Sequence, residues 1–387
     1  MPYQKNRFIF WILGLCFVGG GAYTAAPPED PNKIVLELSP TTQNPRNSEG
    51  AFLPLKDGRI LFAYTRFTGG SGDDAAAEIA ALYSTDKGIT WSLKPETLVR
   101  NDAQANVMSV SLLRLRDGRI VLFYLKKNNL ADCRPYLKIS WDEAKTWGEP
   151  QLALPAPGYF VVNNDRVVQL KSGRLVIPAA FHRLKGPNPG DMKNFDSRAI
   201  ALYYLSDDTG RLWRESKTWW SLPVASQTGL QEPGIIELKD GRIFSWARTD
   251  QGCQYGMYSQ DGGETWSAPK PTPFKSPTSP LSMKRIPSKG HLLAIWNDHS
   301  GRYNLPEAGR DSWSRTPLAS AISRDEGKTW GNFKLIESDP NSGYCYTAIE
   351  FLDNFVLLAY CAGDASTKGV LNRLRVRRIK LDWFYQP

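Results

Sequence analysis

The chain has 387 residues and a formal net charge of +9 at pH 7, and its length allows one large all-β domain or two ordinary domains. Its lysines and arginines are scattered rather than clustered, which disfavours a nucleic-acid groove and suits a small anionic substrate. Three histidines and five irregularly spaced cysteines form no metal-ligand pattern, so the sequence predicts neither a metal nor a cofactor.

The first 26 residues have the pattern of a signal peptide. Lys5 and Arg7 precede the apolar run FIFWILGLCFVGGGA, and the small residues of AYTAA follow. The apolar run is short for a membrane span, so we predict cleavage near Ala25 or Ala26 and export to the periplasm or the medium. An uncleaved anchor is the alternative, and it would be the chain's attachment to a membrane.

After a first predicted strand, KIVLEL at 33–38, one pattern recurs six times: an apolar run, a tight turn and a second apolar run. The copies are LPLKDGRILFAY at 53–64, LRLRDGRIVLFY at 113–124, VQLKSGRLVIPA at 168–179, IELKDGRIFSWA at 236–247, RIPSKGHLLAIW at 285–296 and IEFLDNFVLLAY at 349–360. Gly or Asn supplies the positive φ that such a hairpin turn needs. The turns lie roughly 50 to 70 residues apart, the size of a four-stranded propeller blade.

A second repeat falls between the hairpins. Its copies are STDKGITW at 84–91, SWDEAKTW at 140–147, SDDTGRLW at 206–213, SQDGGETW at 259–266 and SRDEGKTW at 323–330. They resemble Asp boxes, in which the Asp accepts backbone N–H bonds inside a turn and the Trp packs beneath it, and we interpret them as structural. With a last strand in LRVRRIKLDWF at 374–384, residues 32–387 are predicted to form one all-β domain. Its predicted fold is a six-bladed β-propeller of four-stranded antiparallel blades.

The open ends of the predicted inner hairpins gather polar residues. Counting outward from the Asp240 and Gly241 turn places Glu232 opposite Arg248. The same count in the other hairpins gives Glu49, Ser109, Asn164, Leu281 and Cys345 on the first strand, and Arg66, Lys126, Phe181 with His182 beside it, Asp298 and Ala362 on the second. In a closed propeller these ends converge on one face, where a ligand pocket would form. Solvated strand ends or simple ion pairs are the alternative.

The Asp boxes combined with EPGIIELKDGRIFSWAR resemble the sialidase (neuraminidase) superfamily of six-bladed propellers, over nearly all of the mature sequence. The resemblance implies that Glu232 partners a nucleophilic Tyr and that Arg248 belongs to an arginine triad that grips the substrate carboxylate. In this family a triad Arg lies eight residues before the Ser of the last Asp box, and Arg315 has that position here.

Two further segments match the family's pattern. SGYCYTAIEFLDN resembles the nucleophile segment and implies Tyr344 as the nucleophile, with Tyr346 as a second candidate. TRFTGGSGDDAAAE lies where the acid/base Asp normally sits, and it offers both Asp73 and Asp74. A neutral Tyr suits a sugar with a carboxylate on its anomeric carbon, because a carboxylate nucleophile would be repelled.

The first triad position departs from the family's pattern. The family has an Arg-Ile-Pro segment there, whereas this chain has NPRNSEGAFLPLKDGR. Counting from the turn reaches Ser48, with Glu49 next to it and Arg46 two residues upstream. Arg46 reaches the pocket if the strand entrance bulges; otherwise the triad is incomplete and Glu49 meets a different sugar. Arg46 or Arg66 would have to neutralise Glu49 in a pocket that binds a carboxylate.

Together these features predict an exported, retaining exo-glycosidase that removes a terminal α-linked sialic acid or related acidic sugar from glycans. Asn164, at the entrance of the third hairpin, is expected to hydrogen-bond a sugar hydroxyl or to cap the strand. One alternative is a propeller glycosidase that acts on a different sugar. Another is a glycan-binding propeller without catalytic activity.

Overall fold

A computed structural model describes residues 1–3 and 30–386, so the predicted leader lies almost wholly outside the described residues. Pro31–Pro387 forms one compact unit, and Met1–Asp30 is assigned to another. No helix within the described part of the chain is long and apolar enough to cross a membrane.

The described residues form 25 strands and three short 3₁₀ helices. The first nine strands are β1 (Asn32–Leu38), β2 (Arg46–Pro54), β3 (Ile60–Phe67), β4 (Ala77–Ser84), β5 (Glu96–Val99), β6 (Asn106–Arg114), β7 (Ile120–Asn129), β8 (Asp132–Ser140) and β9 (Gln151–Leu152). The next nine are β10 (Gly158–Val161), β11 (Val168–Gln169), β12 (Leu175–His182), β13 (Ile200–Ser206), β14 (Arg214–Glu215), β15 (Gln231–Glu237), β16 (Ile243–Arg248), β17 (Cys253–Ser259) and β18 (Lys270–Lys275). The last seven are β19 (Ser282–Arg285), β20 (Leu292–Asn297), β21 (Leu318–Ser323), β22 (Gly331–Glu337), β23 (Gly343–Leu352), β24 (Phe355–Gly363) and β25 (Leu374–Lys380). The 3₁₀ helices are Met192–Asn194, Arg310–Ser312 and Leu381–Tyr385.

The strands form five sheets, and the predicted all-β class is confirmed. Four sheets have four strands each, in the orders β2-β3-β4-β5, β15-β16-β17-β18, β19-β20-β21-β22 and β1-β25-β24-β23. The fifth has nine strands, because a short parallel pairing of β8 with β10 joins two antiparallel halves, β6 to β9 and β10 to β14. The predicted strands at the two ends of the chain pair with each other, β1 with β25.

The Asp boxes close the turns after the third strand of a sheet, as predicted. At the first box, Asp86 Oδ1 accepts the backbone N–H of Ile89 (3.1 Å) and of Thr90 (2.8 Å). Ser84 Oγ accepts the N–H of Gly88 at 2.8 Å. The bond from the Thr four residues after the Asp recurs at Asp142, Asp261 and Asp325. The carboxylates therefore replace backbone acceptors that the turn lacks.

The core is divided into apolar clusters that each span two neighbouring sheets or the two halves of the nine-stranded sheet. One cluster joins Phe52 and Phe62, near the start of the chain, to Leu357 and Val376, near its end. Every sheet is thus covered on both faces by its neighbours, and the inner strands are positioned from both sides.

Candidate active site

Four inner strands carry the same irregularity at their open ends. The pairing register shifts between Ser48 and Ala51 in β2, Met108 and Ser111 in β6, Gln231 and Gly234 in β15, and Cys345 and Ala348 in β23. Within each bulge one residue has a positive φ: Glu49 (56°), Ser109 (59°), Glu232 (49°) and Tyr346 (60°). All four side chains line one cavity of about 220 Å³. The bulges therefore turn a functional group from each strand into a shared pocket.

Glu232 and Tyr346 meet at the wall of this cavity. The Tyr346 hydroxyl donates to Glu232 Oε1 at 3.2 Å. Arg248 lies against both groups, with Nη2 at 3.2 Å from the same carboxylate oxygen and Nη1 donating to the Tyr346 hydroxyl at 3.4 Å. The residue directly across from Arg248 is Gln231, because the bulge displaces Glu232 from the position that hairpin counting predicted. The predicted proximity of Glu232 and Arg248 holds, through the side chains.

The structure brings Tyr346 to Glu232 and does not bring Tyr344 there. Tyr344 lies in an apolar cluster with Tyr360, and their ring centroids are 6.2 Å apart. The expected contact of Tyr344 with Glu232 is thus corrected to Tyr346. Hairpin counting reached Cys345 rather than Tyr346 because this turn is one residue shorter: two residues separate the paired Leu352 and Phe355, whereas the Gly58 turn has three between its closing residues.

Arg315 packs on the ring of the nucleophile candidate, Tyr346. Its guanidinium lies 5.4 Å from the centre of the Tyr346 ring, and Nη1 donates to Cys345 Sγ at 3.0 Å. Arg315 and Arg248 therefore converge on Tyr346, although Arg315 is not among the residues that line the cavity.

Asp73 and Asp74 both line the cavity, and their loop is held by the neighbouring strands. Lys127 Nζ donates to the Asp73 carbonyl oxygen at 2.8 Å and lies 3.4 Å from Asp74 Oδ1. Asn106 Nδ2 donates to the same carbonyl oxygen at 2.7 Å and to that of Ala75 at 2.9 Å. Lys127 and Asn106 are both buried, so they support the loop from within.

Arg46 is buried beneath two carboxylates that face the cavity. Its Nη1 donates to Asp73 Oδ1 at 2.6 Å and its Nη2 to Glu49 Oε1 at 3.2 Å. Ser109 Oγ donates to Glu49 Oε2 at 2.5 Å. Burial raises the pKa of Glu49. Partial desolvation of the Asp73 carboxylate in the cavity would alone raise its pKa, but the Arg46 guanidinium outweighs this and holds that pKa below its ordinary value.

Arg66 and Asn164, like Arg315 and Arg46, are not among the residues that line the cavity. Arg66 forms an ion pair with Glu78 on the adjacent strand. It is one residue beyond the position that corresponds to Arg248, so it projects from the other face of the sheet. Asn164 donates to the carbonyl oxygens of Gly50 (2.7 Å) and Tyr346 (3.1 Å), and so ties inner strands together.

The rest of the cavity wall includes Lys127, Tyr159, Asn163, His182 and Phe195. Hairpin counting selected none of them directly and named only His182 as the neighbour of a selected residue. Counting selected Lys126, which instead pairs with Asp102 on the opposite face. His182, which counting did place beside the pocket, stacks on Phe195 with ring centroids 4.8 Å apart. Its Nδ1 lies 3.0 Å from the Asp196 carbonyl oxygen, and burial lowers the pKa of His182.

This arrangement suits attack by a phenol whose proton has a nearby acceptor. Burial, together with the Glu232 carboxylate, raises the pKa of Tyr346, so the hydroxyl keeps its proton unless an acceptor takes it. Glu232 Oε1 is in position to take that proton, while Arg248 and Arg315 can compensate negative charge that develops on the phenol oxygen.

The family model for the BNR repeat-like domain matches residues 69–354. The chain belongs to this family, within the sialidase superfamily. A curated relative, the anhydrosialidase of Macrobdella decora, is 24% identical over 287 residues. That match covers 66% of this chain and 33% of the relative, so the chain spans about a third of the relative's length.

Solved structures of sialidases resemble this BNR repeat-like protein across most of its length. A leech intramolecular trans-sialidase complexed with 2,7-anhydro-Neu5Ac has a TM-score of 0.67 at 16% identity, covering 91% of this chain and 70% of the other. A protein of unknown function from Dyadobacter fermentans has a TM-score of 0.68 at 17% identity, covering 90% of this chain and 100% of the other. At this identity the likeness establishes the fold.

Proposed function

We propose that this protein is an exo-glycosidase of the sialidase type that hydrolyses a terminal α-linked sialic acid or related acidic sugar with retention of configuration. The observation that carries the proposal is the contact between the Tyr346 hydroxyl and the Glu232 carboxylate, with Arg248 bonded to both. A buried phenol and carboxylate grouped with a partly buried guanidinium at one cavity wall are costly for stability alone, because each must be desolvated at least in part.

The proposed reaction has two displacements. Tyr346 attacks the anomeric carbon as its proton passes to Glu232, and the bond to the leaving oxygen breaks while Asp73 protonates that oxygen. Water then attacks the same carbon, giving its proton to Asp73, and the Tyr346 oxygen leaves and regains a proton from Glu232. Arg248 and Arg315 would hold the sugar carboxylate, together with Arg46.

The proposed architecture is a six-bladed propeller in which the two halves of the nine-stranded sheet are separate blades. Six apolar clusters between successive groups of strands support it, since one of them joins the first group to the last. The shared cavity would then lie on the axis. Export through cleavage of residues 1–26 is part of the same proposal and rests on the sequence pattern alone.

Glu49 favours a second candidate, a sugar that differs from sialic acid near the carboxylate. Its buried side chain lines the cavity beside the proposed anion site, where it would repel one acidic group and accept hydrogen bonds from hydroxyls. Glycosidase action on a different sugar is thus the alternative.

The test is release of 4-methylumbelliferone from its α-sialoside by the purified protein. Tyr346→Phe and Glu232→Gln are expected to lower kcat by about 10²-fold or more, because nucleophile and proton acceptor are lost. Tyr344→Phe is the matched control and is expected to stay within a few-fold of the unmodified protein. Equal loss in Tyr344→Phe and Tyr346→Phe would refute the assignment, and turnover of the matching glucuronide instead of the sialoside would favour the second candidate.

A further inference from the structure

Arg46 has almost no free hydrogen-bonding capacity. Of the five N–H donors of a guanidinium, four have acceptors among the described residues: Ser48 Oγ, Ser71 O, Asp73 Oδ1 and Glu49 Oε1. The residue is 1% exposed, and it does not line the cavity. Any anion that is to make two hydrogen bonds with Arg46 must therefore displace one of its present partners.

Asp73 is the partner that can leave. Its side chain is 65% exposed and lines the cavity, so water or substrate already reaches it. Glu49, in contrast, is buried and is held from its other side by the Ser109 hydroxyl. The backbone of Asp73 is fixed through its carbonyl oxygen by Lys127 and Asn106, so the carboxylate can rotate away while its loop stays in place.

We propose that the Asp73 carboxylate, which contacts Arg46 Nη1, occupies the place on Arg46 that the carboxylate of an acidic sugar takes on binding. When the substrate carboxylate displaces Asp73 from Arg46, Arg46 holds the substrate and Asp73 is free to act as proton donor. The inference rests on the proposed function, and it adds that the anionic group of the substrate prepares the acid as well as anchoring the sugar. A neutral sugar would leave Asp73 paired and ionised.

The electrostatic consequence follows from the groups that face Asp73. Arg46 and Lys127 favour its ionised form, Arg315 does so from farther away, and Glu49 and Asp74 oppose it. When Arg46 turns to the substrate and a new carboxylate enters, the largest stabilising contact of the Asp73 anion is lost. Asp73 then binds a proton at a pH where its pair with Arg46 had kept it ionised, so substrate binding takes up a proton.

The experiment is calorimetric titration of the full chain with N-acetylneuraminic acid in buffers of different ionisation enthalpy, between about pH 4 and pH 6, where an unpaired carboxyl titrates. Binding is expected to take up a measurable fraction of a proton. In Asp73→Asn this uptake is expected to disappear and affinity to rise about 2- to 5-fold, because a partly exposed ion pair no longer competes for Arg46. Hydrolysis of an alkyl sialoside should be lost.

Asp74→Asn is the matched control. Asp74 lines the same cavity but contacts Lys127 rather than Arg46, so proton uptake should persist. If uptake persists in Asp73→Asn, the proton goes to Glu49, Glu232 or His182 and the inference is wrong, while the proposed function stands. If Asp73→Asn binds the acid more weakly, the inference is also wrong. Failure of every folded variant to bind the acid or cleave a sialoside overturns the proposed function itself.

Discussion

Lys127 is predicted to be a positioning residue for the acid loop. Its buried ammonium donates to the Asp73 carbonyl oxygen at 2.8 Å and lies 3.4 Å from Asp74 Oδ1. Lys127→Met keeps the length of the side chain and removes the charge. The carbonyl keeps one donor, Asn106 Nδ2 at 2.7 Å, so the loop should remain attached but less constrained.

The loss of stability and of kcat expected in Lys127→Met can be estimated from these contacts. One hydrogen bond from a charged group is worth about 1.5–3 kcal/mol, and relief of the desolvation of a buried ammonium offsets part of it. We therefore expect the free energy of unfolding to fall by about 0–2 kcal/mol. Misplacement of the acid by a fraction of an ångström should lower kcat by about 10- to 100-fold. Because Lys127 also helps to hold the pKa of Asp73 down, the variant's alkaline limit of activity should move to higher pH.

The assay is the pH dependence of kcat and KM for an alkyl sialoside, whose leaving group needs protonation. Lys126→Met is the matched control, because its ammonium pairs with Asp102 on the other face of the strand, and it should change neither parameter by more than about twofold. A raised KM with unchanged kcat and pH limit would mean that Lys127 contacts the substrate instead, and the positioning role would be refuted.

Three further changes test the fold and the cavity. Asp86→Ala should lower the free energy of unfolding by about 1–3 kcal/mol in urea, because it leaves turn N–H groups unpaired. Burial alone would raise the pKa of Asp86, but hydrogen bonds from Thr90 lower it to about 2. The stabilisation that the Asp86 carboxylate gives is therefore present above about pH 4 and is lost as the pH falls towards 2. Asn164→Ala should cost about 2–3 kcal/mol of stability by the same measurement, since two buried carbonyl groups lose their donor. Ser109→Ala should raise the pKa of Glu49 and make KM for an acidic sugar fall more steeply on acidification; an unchanged KM profile would count against this.

Turn chemistry explains how much of the fold could be predicted from sequence. Gly58, Gly118 and Gly241 all adopt the positive φ that their hairpins need. The Asp of an Asp box accepts hydrogen bonds from N–H groups of its own turn, as Asp86 does from Thr90. These are local requirements, so they can be predicted from a few neighbouring letters. The joining of β8 to β10 could not be, because the pairing depends on how two separate groups of strands meet.

The site was predicted less completely, because counting residues outward from a hairpin turn assumes regular pairing of the two strands without a bulge. A bulge adds a residue to one strand, so Glu232 is displaced from the position opposite Arg248 that counting gave it. Arg66 lies on the strand without the bulge, and counting selected it one residue beyond the position that corresponds to Arg248, so it points away from the cavity. The shorter last turn moved the counted position from Tyr346 to Cys345. Matching residue types to a known pattern did find Glu232, which lies within the bulge, and Arg248, which pairs with its neighbour Gln231.

The bulges themselves carry the functional information. A positive φ usually requires Gly, and for another residue it costs on the order of 1–3 kcal/mol. Glu49, Ser109, Glu232 and Tyr346 all bear this cost, and all four reach one cavity. Asp165 adopts the same φ (57°), but its carboxylate binds the Lys284 ammonium at 2.7 Å outside that cavity. Strain alone therefore does not mark a functional residue. Strain combined with a side chain that faces the shared pocket does, and Glu232 and Tyr346 meet both conditions.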